Sequence, residues 1–451
     1  MPSQLLAPLF GSPAMEAVWS DEAAVVAMLT FEAALAVAEG DAGVIPASAV
    51  VPINAGCMML EVDMAALAEA AGIAGNTAIP LVKMATAKVA ESDPEAAKWV
   101  HYGATSQDVM DSGLVLQLRD AFKVIEADLV RAMAAAAILA KAHRDTPMAG
   151  RTWLQQALPI TFGLKMAGTL DALMRHRDRL AEARPRILSL QFGGAAGTLA
   201  SLGDKGPEVA RLLAGRLNLT LPDTPWHGQR DRILEAASLM AGLVATSAKV
   251  ARDVALMMQT EIGEVLEPSA PGRGGSSTMP HKRNPALSAT ILGAAGLAPQ
   301  LLATIAVGGS GEHERFAGGW QSEWLALPEL ARLTGGVVAK LAELLEGLEV
   351  KPERMAANLA ATRGLLMAEA VQMALAPDLG RLVAHDRIEA ACRTAVGEGR
   401  DLLDVLAEDP QIAAHADRDR LAALLDPAHY LGAAGAFVDR VLARYAGIGR
   451  D

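Results

Sequence analysis

Between two long stretches of helix-forming sequence stands Pro271-Gly272-Arg273-Gly274-Gly275-Ser276-Ser277-Thr278-Met279-Pro280-His281-Lys282-Arg283-Asn284-Pro285. Glycine lets a backbone adopt positive φ and approach a ligand closely, while serine and threonine offer N–H and hydroxyl groups to carboxylate oxygens. Lys282 and Asn284 add a cation and an amide at alternate positions. The next helix is expected to begin at Asn284-Pro285, a cap and first-turn pair, with its positive end facing the same pocket. The chemistry these residues suit is the binding of an anionic group, its carboxylate oxygens met by N–H, hydroxyl and cationic donors. As a generic Gly/Ser/Lys loop, the same residues also read as a solvated connection between helices.

Two further clusters carry polar groups. His101-Tyr102-Gly103-Ala104-Thr105-Ser106-Gln107-Asp108 precedes the longest helical stretch. Alone it reads as a helix cap, with Thr105 or Ser106 as N-cap and Asp108 early in the helix. A helix start is also an anion site, so the two readings are compatible. Gly150-Arg151-Thr152-Trp153-Leu154-Gln155-Gln156-Ala157-Leu158-Pro159-Ile160-Thr161-Phe162-Gly163 is placed at the start of the second long helix. Arg230, Arg232 and Arg315 are further candidate counter-charges, or partners in ion pairs of the bundle. Gly193-Gly194-Ala195-Ala196-Gly197 follows helical rather than strand sequence and reads as a tight turn whose backbone could line the pocket.

These clusters must be held by helices. Hydrophobic residues make up 52% of the 451, yet aromatics only 4%, so the apolar mass is the Ala, Leu, Val and Met that favour helix. From Asp108 to about His143 there is no proline, and Val115, Leu118, Ala121, Phe122, Ile125, Leu129 and Met133 recur at helical spacing. Similar stretches run from about Pro159 to Arg184, Asp231 to Val265, Ala286 to Ala306 and Trp320 to Leu345. The expectation is an all-α fold: an N-terminal helical domain (1–105), a central bundle of five long helices (106–347) and a C-terminal helical domain (348–451). Such a bundle leaves apolar stripes that other copies would cover.

The net charge of −12 argues against nonspecific nucleic-acid binding, so an anionic substrate would have to be drawn by local cations. Cys57 and Cys392 stand apart with no CxxC partner and read as free thiols. The nine histidines show no metal-ligand spacing, and no Walker loop is present. Ala132–Ala140 is too short for a membrane span, and the N-terminus shows no secretory signal. The expectation is therefore a cytoplasmic protein without a transmembrane segment.

From Gly275 to Pro285 the chain matches G-S-S-x-M-P-x-K-x-N-P at every fixed position, and in this it resembles the fumarase/aspartase superfamily. The first cluster resembles that superfamily's G-x-T-S-x-D segment. The Gly150 cluster resembles the adenylosuccinate-lyase branch, which reads G-R-T-H-x-Q-x-A-x-P-x-T-x-G, with Trp153 where that branch has histidine. Enzymes of this superfamily eliminate, or add, across the bond beside a carboxylate through an aci-carboxylate intermediate. The resemblance implies Ser276 as the proton-transfer residue, with Lys282 and Asn284 stabilising the aci-carboxylate. A histidine at position 153 would supply the acid an amine leaving group needs, and tryptophan has no titrating proton to give. A carboxylate leaving group, with a conjugate-acid pKa of about 4, tolerates that loss. Trp153 also reads, more plainly, as an interface aromatic.

Gly75-Asn76-Thr77-Ala78-Ile79-Pro80-Leu81-Val82, Trp226 to Arg232, Glu312-His313-Glu314-Arg315 and Asp426 to Gly432 resemble stretches of the superfamily's bacterial lactone-forming cycloisomerases. The resemblance implies a cycloisomerase for a small tricarboxylate, working without metal or other cofactor, and a homotetramer whose active sites are shared between chains. Ser276, Lys282, Asn284 and Trp153 are the expected catalytic residues. His101, Thr105, Ser106, Gln107, Arg151, Gln155, Ser277, Met279, His281, Arg230 and Arg315 are expected to contact substrate. The alternatives are a C–N lyase releasing fumarate and a catalytically silent structural homologue.

Overall fold

Long apolar runs fold as long helices in this computed structural model, which describes residues 5–269, 279 and 281–448. α1 is Asp21–Asp41 and α2 Ala47–Met58; α3, Ser106–Ala142, is 37 residues long. β1 (Pro147–Thr152) and β2 (Gln155–Thr161) form an antiparallel hairpin leading into α4, Phe162–Ile187. α5 is Asp231–Met257, α6 Ala286–Gly308 and α7 Gly319–Glu346, followed by shorter helices from Pro352 to Gly447. A second ribbon pairs β3 (Val265–Leu266) with β4 (Glu349–Val350). The five expected long helices are α3 to α7, and the fold is all-α apart from these short ribbons.

The chain divides into two compact units. The first comprises Met1–Leu129, His176–Ala248 and Thr290–Lys340, the second Val130–Arg175, Lys249–Ala289 and Leu341–Asp451. The expected stripe of α3 is its buried face: Val115, Leu118, Ala121, Phe122, Ile125, Leu129 and Met133 are at most 1% exposed. Burying each of the larger side chains contributes about 1.5–3 kcal/mol. In the first unit α1 packs along α2, closely enough that a Cβ on Gly40 would meet the Val50 side chain at 2.3 Å. In the second, Val371, Leu375, Ile388, Leu402, Leu406, Ile412 and Leu421 form a core of their own.

Two boundaries differ from the sequence reading. Gly150–Thr161 is hairpin, not helix start; α4 begins at Phe162, where the Thr161 hydroxyl accepts from the Leu164 N–H at 3.0 Å. α5 ends at Met257 rather than near Val265, because Gly263 (φ +61°) turns the chain into β3. Three helices, α1, α5 and α6, are long and apolar enough by length and composition to cross a membrane. The expectation of no such segment rested on Ala132–Ala140 and overlooked them. In α6, with mean hydropathy 1.7, only 28% of the most apolar window is buried within the protein.

Candidate functional site

The first unit contains His101, Thr105, Ser106, Gln107, Arg230 and Arg315; the second contains Arg151, Trp153, Gln155, Met279, His281, Lys282 and Asn284. Ser276 and Ser277 lie outside the described residues.

In the first unit the start of α3 is organised by Asp108, which is fully buried. Its carboxylate accepts from the Thr105 N–H (3.0 Å) and from the N–H groups of Gly193 and Gly194 (2.9 Å each). Gln191 Nε2 donates to it at 3.3 Å, and His227 Nε2 lies 2.7 Å away. The bond to Thr105 is half of a capping box. The other four partners tie the helix start to the glycine turn, where Gly194 has φ +69° and a Cβ on Gly193 would meet Pro225 at 2.7 Å. The turn is thus a structural clamp, a role the sequence reading missed. The Thr105 hydroxyl is left free of the helix and accepts from Arg315 Nη2 at 3.2 Å. Arg315 also donates to the Ala195 carbonyl, and its Nε is buried without a partner.

Gln107 is completely buried and donates to Asp111 and to the His227 carbonyl, leaving its Oε1 without a partner. Ser106 is half-buried. Arg230 is not available to a substrate. It is 3% exposed and lies between Asp111 (2.6 and 3.0 Å) and Glu323, with the Trp226 ring 4.9 Å from its guanidinium carbon. Trp320 Nε1 donates to the same Asp111 at 3.0 Å. Burial opposes the charge on Arg230, but two carboxylates outweigh it and raise its pKa. Burial likewise raises the pKa of Glu323, with Arg230 offsetting part of the effect. Arg230 is a tie within the bundle, saturated by its own carboxylates.

His101 has Nδ1 2.6 Å from Oε1 of Glu32, whose side chain is 1% exposed, and its backbone is left-handed at φ +60°. Glu32 belongs to α1 and was not singled out from sequence. Glu39, one face-repeat further along α1, is also fully buried. Burial, with Glu32 adding to it, pushes the Glu39 carboxyl up to about 9.

In the second unit Arg151 is gripped at 2.7 and 2.8 Å by both oxygens of Glu264, which is fully buried and also accepts from Asn358 Nδ2 at 2.9 Å. The hairpin turn that follows consists of Trp153 (φ +52°) and Leu154 (φ +65°), two residues that rarely adopt this conformation. Trp153 is 97% exposed and Leu154 77%, and Gln155 is exposed beside them. His281 and Lys282 are exposed, Met279 is 43% exposed, and Asn284 is half-buried before α6. The start of α6 does not offer its N–H groups outward. Glu267 accepts from the N–H groups of Leu287 (2.9 Å) and Ser288 (2.8 Å) and from the Ser288 hydroxyl (2.6 Å). This carboxylate satisfies the helix end that the sequence reading had turned toward the pocket. Arg283 is tied to Glu349 at 2.8 Å.

Among the described residues, the cluster within ligand reach of a common ion is His385, Asp386 and Glu389, all exposed on the helix Arg381–Glu398. None of them is an expected site residue. A cavity of about 580 Å³ between α1 and α2, lined by Val25, Leu29, Val37, Cys57, Met58 and Met64, contains none either.

Comparison with known proteins places these features in context. Residues 11–298 match the family described as Lyase, and residues 364–441 match the adenylosuccinate lyase C-terminus. A 3-carboxy-cis,cis-muconate cycloisomerase of Pseudomonas aeruginosa is 54% identical over 99% of this chain and 97% of its own length. One from Bradyrhizobium diazoefficiens is 54% identical over 98% of both chains. The crystal structure of 3-carboxy-cis,cis-muconate lactonizing enzyme from Pseudomonas putida superposes with a TM-score of 0.94 at 50% identity, covering 98% of this chain and 99% of that one.

Proposed function

The chain belongs to the lyase family of the fumarase/aspartase superfamily, in the branch with an adenylosuccinate-lyase C-terminus, and from that premise we propose that it interconverts 3-carboxy-cis,cis-muconate and a carboxymuconolactone. The observation that carries this reading is Trp153. It occupies the tip of a strained hairpin at the position of the branch's general acid, and an indole has no proton to titrate. Intramolecular addition of a carboxylate needs no such acid, because the group that adds or departs is already a stable anion.

In the lactone-forming direction one substrate carboxylate adds to the far double bond, forming a C–O bond. The displaced electron pair moves onto the neighbouring carboxyl group as an aci-carboxylate. Lys282 and Asn284 stabilise that charge, and Ser276 or a water delivers one proton to carbon, so the product is an isomer of the substrate. Arg315, His101 and Thr105 are the first unit's candidate contacts for the remaining carboxylates. Arg151, held by Glu264, is the second unit's.

The site is completed by other copies of the chain in a homotetramer. Two features support this: Trp153 and Leu154 are left almost bare, and α6 is strongly apolar but mostly uncovered. A solution mass near four times 46.9 kDa is expected, and a mass of one chain at micromolar concentration would overturn the assembly. The reaction needs no metal or other cofactor, and the enzyme works in the cytoplasm. The deciding assay follows loss of the conjugated-diene absorbance of 3-carboxymuconate with a chelator present. Release of fumarate from adenylosuccinate or argininosuccinate, with muconate untouched, would replace this reading by the C–N lyase.

A further inference from the structure

Glu32 is difficult to explain as a structural residue. It sits in the apolar helix α1 with its side chain 1% exposed; Oε2 has no partner, and Oε1 has one, His101 Nδ1 at 2.6 Å. A buried carboxylate with a single hydrogen bond costs stability, and an apolar side chain of similar size would avoid that cost. His101 is held unusually too. It is a non-glycine residue at φ +60°, two positions before Gly103 at φ +72°, in the loop that delivers Thr105 to the start of α3. Strain of this kind persists where surrounding contacts impose it, and it accumulates at working sites.

We propose that Glu32 is a positioning residue for the reaction above: it fixes the ring and tautomer of His101, keeping the proton on Nδ1 so that Nε2 is the atom offered to a substrate carboxylate. This rests on reading His101 as a substrate contact. The imidazole is 20% exposed, and among the described residues Glu32 is its one hydrogen-bond partner. With Nδ1–H committed to Glu32, the second proton gained by the ring resides on Nε2. The protonated ring donates to a carboxylate there, whereas the neutral ring presents a lone pair that repels it.

The charges acting on the ring come from two elements, Glu32 of α1 and Asp108 of α3. Burial works against the imidazolium, but these two carboxylates outweigh it and hold the His101 pKa above its ordinary value. Glu39 stands behind Glu32 on α1. With its carboxyl titrating at about 9, it is neutral near pH 7 and adds no charge of its own. The pair therefore extends the substrate-binding form of His101 toward neutral pH.

Three measurements test this. In the wild type, KM for 3-carboxymuconate should rise as pH passes upward through the His101 pKa while kcat changes little. Glu32→Gln should shift that rise to lower pH by about one unit or more, so that KM is near normal in acid but about tenfold higher at neutral pH. His101→Gln should remove the rise and give a high KM throughout, and adding Glu32→Gln to it should change nothing further. A folded Glu32→Gln protein with an unmoved KM–pH profile, or additive effects in the double variant, would overturn the proposal. A role confined to stability would lower Tm and leave the profile in place. Histidine NMR of the wild type decides the matter even if Glu32→Gln does not fold: neutral His101 is expected as the Nδ1–H tautomer, and the Nε2–H tautomer would overturn it. Because this readout needs no turnover, an enzyme inactive on muconates would reject the proposed reaction while still reporting on the pair.

Discussion

Replacing Glu39 by glutamine should stabilise the protein, and by an amount that depends on pH. The side chain is fully buried on α1, and neither carboxyl oxygen has a partner. Burial first, and the neighbouring Glu32 second, raise its pKa from 4.5 in the unfolded chain to about 9 in the folded one. Below pH 4.5 both states hold the proton and there is no linkage term. Between 4.5 and 9 the unfolded chain releases a proton that the native state retains, so the native state loses about 1.4 kcal/mol of relative stability per pH unit. Above 9 the deficit is constant.

The size of the effect between pH 5 and pH 8 is therefore about 4 kcal/mol. Glutamine keeps the shape and removes the ionisation. The difference in stability between Glu39→Gln and wild type should be small at pH 5 and should grow by several kcal/mol at pH 8, which corresponds to a Tm gain of several degrees. Circular dichroism melts of both proteins at both pH values provide the measurement, and comparison at matched pH cancels every other titrating group. An equal shift at the two values, or a variant weaker than wild type at pH 8, would refute a neutral buried Glu39.

Ser276→Ala should lower kcat by about a thousandfold with KM little changed, as expected when a proton-transfer group is removed from a bound substrate; near-normal kcat would reject that role. Asp108→Ala removes the acceptor for the Gly193–Gly194 turn and the His227 ring, and should cost about 3–5 kcal/mol in urea unfolding. A loss below 1 kcal/mol would contradict the clamp. Mixing inactive Ser276→Ala with an inactive Arg315 variant, after reversible dissociation, should restore part of the activity if chains share sites; no recovery from re-formed hetero-oligomers would oppose sharing.

The long helices were legible because an unbroken 3.6-residue apolar repeat needs only local information, and α3 buries the residues its periodicity marks. The hairpin was not. Its turn is Trp153-Leu154, two bulky residues at positive φ, so the Asn-Gly or Asp-Gly signal of a tight hairpin is absent. Its first strand, Pro147–Thr152, also lacks clear alternation. Glu32 and Glu39 could have been suspected: they lie seven residues apart on one face of a helix otherwise rich in Ala, Val, Leu and Met. Acids on a helix are exposed by default, however, and nothing local marks these as buried. The role of Arg230 was illegible for another reason, since Asp111 and Glu323 are 119 and 93 residues away.

These long-range pairings bear on how a chain of net charge −12 can serve a tricarboxylate. Arg230, deep in the fold, is cancelled by two carboxylates of its own, and the partly exposed Arg283 is paired with Glu349. Arg151 is aligned by Glu264 and partly neutralised by it. In the first unit Arg315, with its Nε unpaired, and His101, when protonated, retain capacity for an anion; in the second, Lys282 is exposed. Attraction for the substrate then comes from a few local groups rather than from the protein's overall field, which opposes an anion. That assignment also explains why the helix end at α6 is unsuited to the task, because Glu267 already occupies it. The loop chemistry proposed for Ser276, Lys282 and Asn284 therefore draws on side chains more than on the N–H groups of Leu287 and Ser288, which Glu267 holds.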